Sequence, residues 1–332
     1  MEYKNSSLLS AQKKPSLFDN TYLMMAIIFF ISWALASVYE EAVQIRFLME
    51  RIKTHQSILT GTAGSPYRYR LLVVVGLGMI TKALAGFMEY PKAFQLTYSG
   101  YMLCCLFALF SGMYLFFTRF FSRRLSFFGI LYVAGTIPIT FGEHFFQPWS
   151  FLEAVFFMLA LQWIYDKRHV LLIPLIIIAA LNRETAAMIP ILFLCAHYST
   201  GSDEYGVKRF EKGSLGWFAV YFFIWAGVTI GLRYLCGYTE HEFTFSDNFA
   251  FNKQHLLTSL KNNVVFWGIF GYFAVRGYWY APVFFRRTAL LIPIYCGLIF
   301  CYAYWPEVRV FVMLYPVFVP LALSYIAEKY EV

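Results

Sequence analysis

Eleven continuous apolar runs limit what this chain can become. They cover residues 22–38, 71–88, 94–117, 125–141, 151–165, 170–181, 186–198, 215–234, 264–281, 288–305 and 310–326. Lipid cannot bond the backbone amides of such runs, so each must satisfy its own as a helix. The composition agrees: 60% of the residues are hydrophobic and only 14% are charged, against roughly 25% charged in soluble domains. These features exclude a soluble globular enzyme, a disordered chain and a disulfide scaffold. A membrane barrel is excluded because its strands alternate apolar and polar residues. The expected fold is all-α: a polytopic membrane protein with about ten transmembrane helices and one or two interfacial helices, forming a single transmembrane domain over 1–332.

Basic clusters set the sidedness, because Lys and Arg collect in cytoplasmic loops. The clusters are Lys4/Lys13/Lys14, Arg119/Arg123/Arg124, Lys167/Arg168, Lys208/Arg209/Lys212 and Arg286/Arg287. If 71–88 crosses the membrane, the second and third clusters fall outside. If it lies in the interface, as Lys82 and its three glycines suit, every cluster falls inside. Ten spans then remain, with residues 1–20 as a cytoplasmic tail and both termini cytoplasmic. Runs 170–181 and 186–198 must cross separately, each rising only about 18 Å against a core of ~30 Å. They make a short hairpin, or the membrane thins there. The external segments are 40–93 with the interfacial helix, 142–150, 182–185, 235–263 and 306–309.

Nearly all the unusual polar residues share that external side. Glu40 and Glu41 follow the first span as a general base, a metal ligand or ordinary anchors. In Tyr67-Arg68-Tyr69-Arg70, guanidinium forks suit phosphate oxygens, and the tyrosines could stack on a sugar or hold the arginines by cation–π contact. An interfacial anchoring belt is the alternative. The hairpin tip Asn182-Arg183-Glu184-Thr185 carries the sharpest signal, because ionisable residues within apolar stretches are functional candidates. Asn182 is placed to cap the following helix, whose N-terminus favours an anion. Glu143 and His144 form a base or metal pair, or stay as hydrogen-bonded interfacial residues. Glu153, inside a span, needs a partner, and Arg183 is one. Glu307 and Arg309 bridge each other or meet a phosphate or sugar hydroxyl. The 235–263 loop reads as a lid or an amphipathic helix.

No spacing of metal ligands stands out. The six cysteines lie in or beside apolar runs without CxxC spacing, so their role is packing. No cofactor and no nucleic-acid partner is expected.

The order of a first span, an external carboxylate, YRYRLL leading into an interfacial helix, a span ending in RFFSRR, and a short hairpin with a basic tip resembles the C-type glycosyltransferases. The likeness covers roughly residues 20–200, with a weaker echo at 305–326. WSFLEAVFFMLALQWIYDKRHVLLIPLIIIAALNRETAAMIPILFL carries most of it. The resemblance implies a GT-C-like enzyme of a bacterial inner (plasma) membrane. Such an enzyme moves a sugar from a polyprenyl-phosphate donor to a cell-envelope acceptor, which is a glycan, a lipid or a protein. Glu40 or Glu41 would be the base. Arg183, with Arg68, Arg70 or Arg309, would hold the phosphate. Tyr67, Tyr69, Glu143, His144, Glu153, Glu184 and Glu307 would contact substrate. The family's acid at the start of the first external loop is usually Asp. No Asp occurs here between Asp19 and Asp166, so Glu40 or Glu41 fills that role or the role is absent. The alternatives are an envelope-polysaccharide polymerase or ligase, and a transporter or flippase of a lipid-linked sugar. A transporter would bring an inverted repeat and a midplane site, and the sequence shows no repeat.

The arrangement is testable by labelling. A cysteine at position 121, in a background without the native six, is expected to react with an impermeant maleimide only from the cytoplasmic side.

Overall fold

The computed structural model describes residue 18 and residues 20–142, 145–199, 210–238 and 244–330. These residues are all-helical, and their one strand-like pairing is an isolated bridge between Tyr198 and Phe210. The α-helices in order are α1 (Thr21–Tyr39), α2 (Leu48–Leu59), α3 (Leu71–Leu84), α4 (Tyr90–Phe117), α5 (Arg123–Thr136), α6 (Trp149–Tyr165), α7 (His169–Asn182), α8 (Met188–Ala196), α9 (Ser214–Cys236), α10 (Phe245–Gln254), α11 (Leu256–Gly277), α12 (Val283–Thr288), α13 (Leu291–Tyr302) and α14 (Tyr315–Tyr330).

Each apolar run contains a helix. Five helical segments are long and apolar enough to cross a membrane: Thr21–Ile45, Tyr90–Phe117, Ser214–Cys236, Val283–Tyr302 and Val308–Tyr330. Leu71–Leu84, Trp149–Tyr165, His169–Asn182 and Glu184–Ala196 are apolar but shorter. The 14 residues of α3 rise about 21 Å, less than a ~30 Å hydrocarbon core. Length therefore supports a polytopic membrane protein with five such helices, and does not by itself give ten crossings.

The outward faces show the solvent this fold is built for. α1 exposes Phe30 and Trp33, α3 exposes Met79 and Ile80, and α9 exposes Phe223 and Ile230. Large apolar side chains pointing outward from several helices mean lipid contact, because a water-soluble monomer rarely carries such continuous patches. α14 is the opposite case: from Tyr315 to Ser324 every residue is buried. It is the central post, and α11 is its main partner.

Lipid tails are as apolar as leucine, so close backbone approach, and not hydrophobic burial, holds such helices together. Gly277 of α11 makes that approach possible. A Cβ there would lie 1.8 Å from the Leu321 carbonyl oxygen of α14. Gly129 plays a milder version on α5, where a Cβ would meet Val319 at 3.0 Å.

Two breaks differ from the sequence expectation. α11 turns at Gly268, whose φ of +50° is open to glycine. The neighbouring carbonyls of Phe266 and Trp267 accept the Tyr132 hydroxyl at 3.3 and 3.0 Å, as a kink in lipid requires. α1 continues through a π-helical turn, Glu40–Ile45. Glu40 and Glu41 thus stand in a helix extension and not in a loop. The segment expected as the 235–263 loop holds α10, capped by Thr244 and Asp247, and the start of α11.

The Gly277 contact gives a direct check. Gly277→Ala forces backbone against backbone and is expected to cost at least the ~1–3 kcal/mol of ordinary overpacking, read as a lower melting temperature in detergent. Gly297→Ala, where a Cβ meets nothing within 4 Å, serves as the control.

Candidate functional site

The first turns of α6 gather the site. Pro148 precedes the helix, and Trp149, Ser150 and Glu153 then face different neighbours. Three arginines from distant parts of the chain converge here, each with its own carboxylate.

The first pair joins the external segment to the hairpin. Arg70 Nε and Nη2 donate to Glu184 Oε2 at 3.3 and 3.2 Å. The guanidinium carbon lies 5.0 Å from the Trp149 ring centroid and 5.4 Å from that of Tyr67. The tyrosine therefore holds its arginine by cation–π contact, one of the two roles open to it. The Glu184 carbonyl accepts from Trp225 Nε1 of α9 at 3.0 Å.

The second pair pins the hairpin tip. α7 ends at Asn182, Arg183 is extended, and Glu184–Ala187 form a 3-10 turn before α8. Arg183 Nη1 donates to Glu153 Oε2 at 2.7 Å, and Thr185 donates to Glu153 Oε1. Phe156, Phe157, Ala179, Ala186 and Ile189 wall this pair. Asn182 does not cap the next helix. Its amide donates to the Trp149 carbonyl at 3.1 Å, because it closes α7 and its side chain turns toward α6. The residue expected to meet a prenyl phosphate, Arg183, is 9% exposed and engaged with Glu153.

The third pair borders a cavity. Arg309 Nε and Nη2 donate to Glu307 Oε2 at 3.2 and 2.5 Å. Arg309, Tyr39, Thr140, Gln147, Ser150 and neighbouring apolar groups line a small cavity of about 10 Å³, room for about one water. Gln147 connects this space to the first pair: it accepts from Trp149 Nε1 at 2.6 Å and donates to the Tyr67 hydroxyl at 3.5 Å. The Ser150 hydroxyl is buried without a partner among the described residues.

Other expected residues stand apart. Glu40 accepts from Gln95 Nε2 of α4 at 2.6 Å, and Glu41 is exposed. Helical neighbours point about 100° apart, so the residue of that stretch that lines the cavity is Tyr39. Arg68 lies against Gly237, not Glu184: a Cβ at Gly237 would be 3.4 Å from Arg68 Nη2. The Tyr69 hydroxyl donates to the Gly237 carbonyl at 3.2 Å. Glu143 and His144 lie outside the described residues. Among the described residues no group of three or more His, Cys, Asp or Glu side chains could hold a metal ion.

One residue escaped the sequence reading. Arg51 of α2 is 1% exposed. Its Nη1 donates to the Tyr39 hydroxyl at 3.2 Å and to the Phe145 carbonyl at 3.0 Å, with Tyr39, Tyr98 and Phe146 rings around it. Arg51 thus fixes the tyrosine that lines the cavity. The signal was present in the spacing, since Arg51, His55 and Ile58 share one face of a helix at i, i+4 and i+7. His55, on that same face, bonds the Tyr98 hydroxyl at 2.8 Å. Burial, and then the Lys82 charge, push its pKa down to about 4. It is neutral near pH 7, and its contribution to this packing falls as pH drops from about 6.5 toward 4.

No family model, curated protein or solved structure matches this chain.

The buried pair carries an expectation. Glu153→Gln leaves the Arg183 guanidinium without its counter-charge and should cost about 3–5 kcal/mol, measured by thermal unfolding in detergent. The double replacement Glu153→Leu with Arg183→Met should recover most of that loss.

Proposed function

We propose that this protein is a membrane glycosyltransferase that moves a sugar from a polyprenyl-phosphate donor to a cell-envelope acceptor at the α6 end of the bundle. In this reading the chain crosses the bacterial inner membrane ten times, the basic clusters are cytoplasmic, and α3 stays in the outer interface. The observation that carries it is the cavity bordered by Arg309. A guanidinium tied to a carboxylate there meets the hydroxyls of Tyr39 and Ser150 and the Gln147 amide, at the apolar end of a helix bundle. The space is about 10 Å³, so a substrate must widen it; polar groups of this kind then orient a sugar ring. The fork suits a phosphate, and the surrounding faces suit a prenyl chain.

The chemistry follows from the Arg309–Glu307 pair. A donor phosphate takes the Arg309 fork and releases Glu307. The freed carboxylate accepts the proton of the acceptor hydroxyl, whose oxygen attacks the anomeric carbon. The bond from that carbon to the phosphate oxygen breaks, and polyprenyl phosphate leaves with the bonding electrons. Arg309 offsets the charge on the leaving group, and direct displacement inverts the anomeric centre. Glu307 replaces Glu40 and Glu41 as the base, because Glu40 is turned to Gln95 and Glu41 faces outward. Arg70 and Arg183 hold the hairpin and Trp149 in place behind the cavity.

The test uses the full chain in lipid nanodiscs with a panel of polyprenyl-phosphate hexoses and pentoses, reading released polyprenyl phosphate. Glu307→Gln should lower release by roughly 10²–10⁴-fold, whereas Glu40→Gln should change it by less than about threefold. The reverse ranking returns the base to Glu40. Transbilayer movement of the intact donor without release would favour a flippase.

A further inference from the structure

We propose that Arg68 and Arg233 form a second anion site, a lip at the membrane boundary that holds the phosphate of a lipid headgroup. This site is separate from the Arg309 cavity and does not depend on the glycosyltransferase reading.

Three observations lead to it. The first is charge. Arg70, Arg183 and Arg309 each contact a glutamate, so those pairs carry no net charge. Arg68 and Arg233 contact no carboxylate among the described residues, and Arg68 Nε is buried without a partner there. The second is convergence. The Arg233 guanidinium lies 5.8 Å from the Tyr69 ring centroid, and Arg68 precedes that tyrosine in the chain. Arg68 Nη2 approaches Gly237, whose carbonyl bonds the same Tyr69. The φ of +78° at Gly237 turns the chain after α9, so that Gly237 meets both the Tyr69 hydroxyl and the Arg68 guanidinium.

The third is the surrounding surface. Ile230, Arg233, Tyr234 and Tyr238 line an open cleft of about 360 Å³, and all four are exposed. Ile230 and Tyr234 stand on the outward face of α9, a helix long and apolar enough to cross a membrane. The cleft therefore opens sideways into lipid near the depth where tyrosines settle. Trp225, two turns earlier on α9, is level with the Glu184 carbonyl, which places Arg233 farther out than the Arg70–Glu184 pair. Arginine forks at that depth, with no carboxylate against them among the described residues, match a phosphate anchored by its own acyl or prenyl chains.

The full chain, purified in mild detergent, is titrated with phosphatidylglycerol and followed by native mass spectrometry. The parent protein should retain one lipid more tightly than the rest. Arg68→Ala with Arg233→Ala should weaken that binding by about 30-fold, the loss expected when two basic groups leave an anionic interface. Arg68→Lys with Arg233→Lys keeps the charge but not the forks and should lie between the two; it carries the test if the alanine variant does not fold. Inorganic phosphate, titrated alone, should bind parent and variant alike. Equal lipid retention by parent and both variants would overturn the proposal. Tight binding of inorganic phosphate that the substitutions remove would overturn the lipid assignment.

Discussion

The ion pair between Arg183 and Glu153 is the constraint on which the α6 end of this bundle depends. A guanidinium among apolar residues costs several kcal/mol unless it is paired, and α6 supplies Glu153 to the hairpin tip. The bond at 2.7 Å fixes where α7 stops and where the 3-10 turn leads into α8. With the tip pinned to α6, Asn182 reaches the Trp149 carbonyl, Glu184 reaches Arg70, and Trp225 of α9 reaches the Glu184 carbonyl. Four contacts that join four distant stretches of sequence thus radiate from one turn of helix and one hairpin tip.

The same logic explains why the arginines at this end differ in role. Where a guanidinium is enclosed, it comes with a carboxylate, and its first effect is on structure. Arg51 is the exception, held by aromatic faces and oxygen acceptors alone, and it acts by fixing Tyr39. Arg309 is paired but lines a small cavity, and in the proposed reaction an incoming phosphate widens that space and competes for the fork. Arg233 lines an exposed cleft on α9, and Arg68 lies beside Gly237. Burial and the presence of a paired carboxylate, more than residue type, separate these tasks.

Much of this was legible in the sequence. Continuous apolar runs gave the helices, and the isolated charges at 183 and 184 gave the hairpin tip, because both signals are local. What the sequence hid was direction. The π-helical turn after Tyr39 rotates Glu40 toward Gln95 and leaves Tyr39 facing the cavity, which counting residues past a span does not reveal. The bend at Gly268 was hidden because the glycine works only with the Tyr132 hydroxyl from α5. Arg51 looked like an ordinary charge in a polar stretch; its burial follows from packing against α4, far away in the chain. Arg233 read as the end of a span and gained meaning only beside Arg68, which is 165 positions earlier.

The central claim is that the Arg309 cavity receives a lipid phosphate by exchanging it for Glu307. The most direct measurement is an electron cryomicroscopy structure of the full chain in nanodiscs with added polyprenyl phosphate. The account expects phosphate oxygens within hydrogen-bonding distance of the Arg309 fork, with the Glu307 carboxylate withdrawn from it and facing the cavity. A bound polyprenyl phosphate seated elsewhere, with the Arg309–Glu307 pair intact, would contradict it.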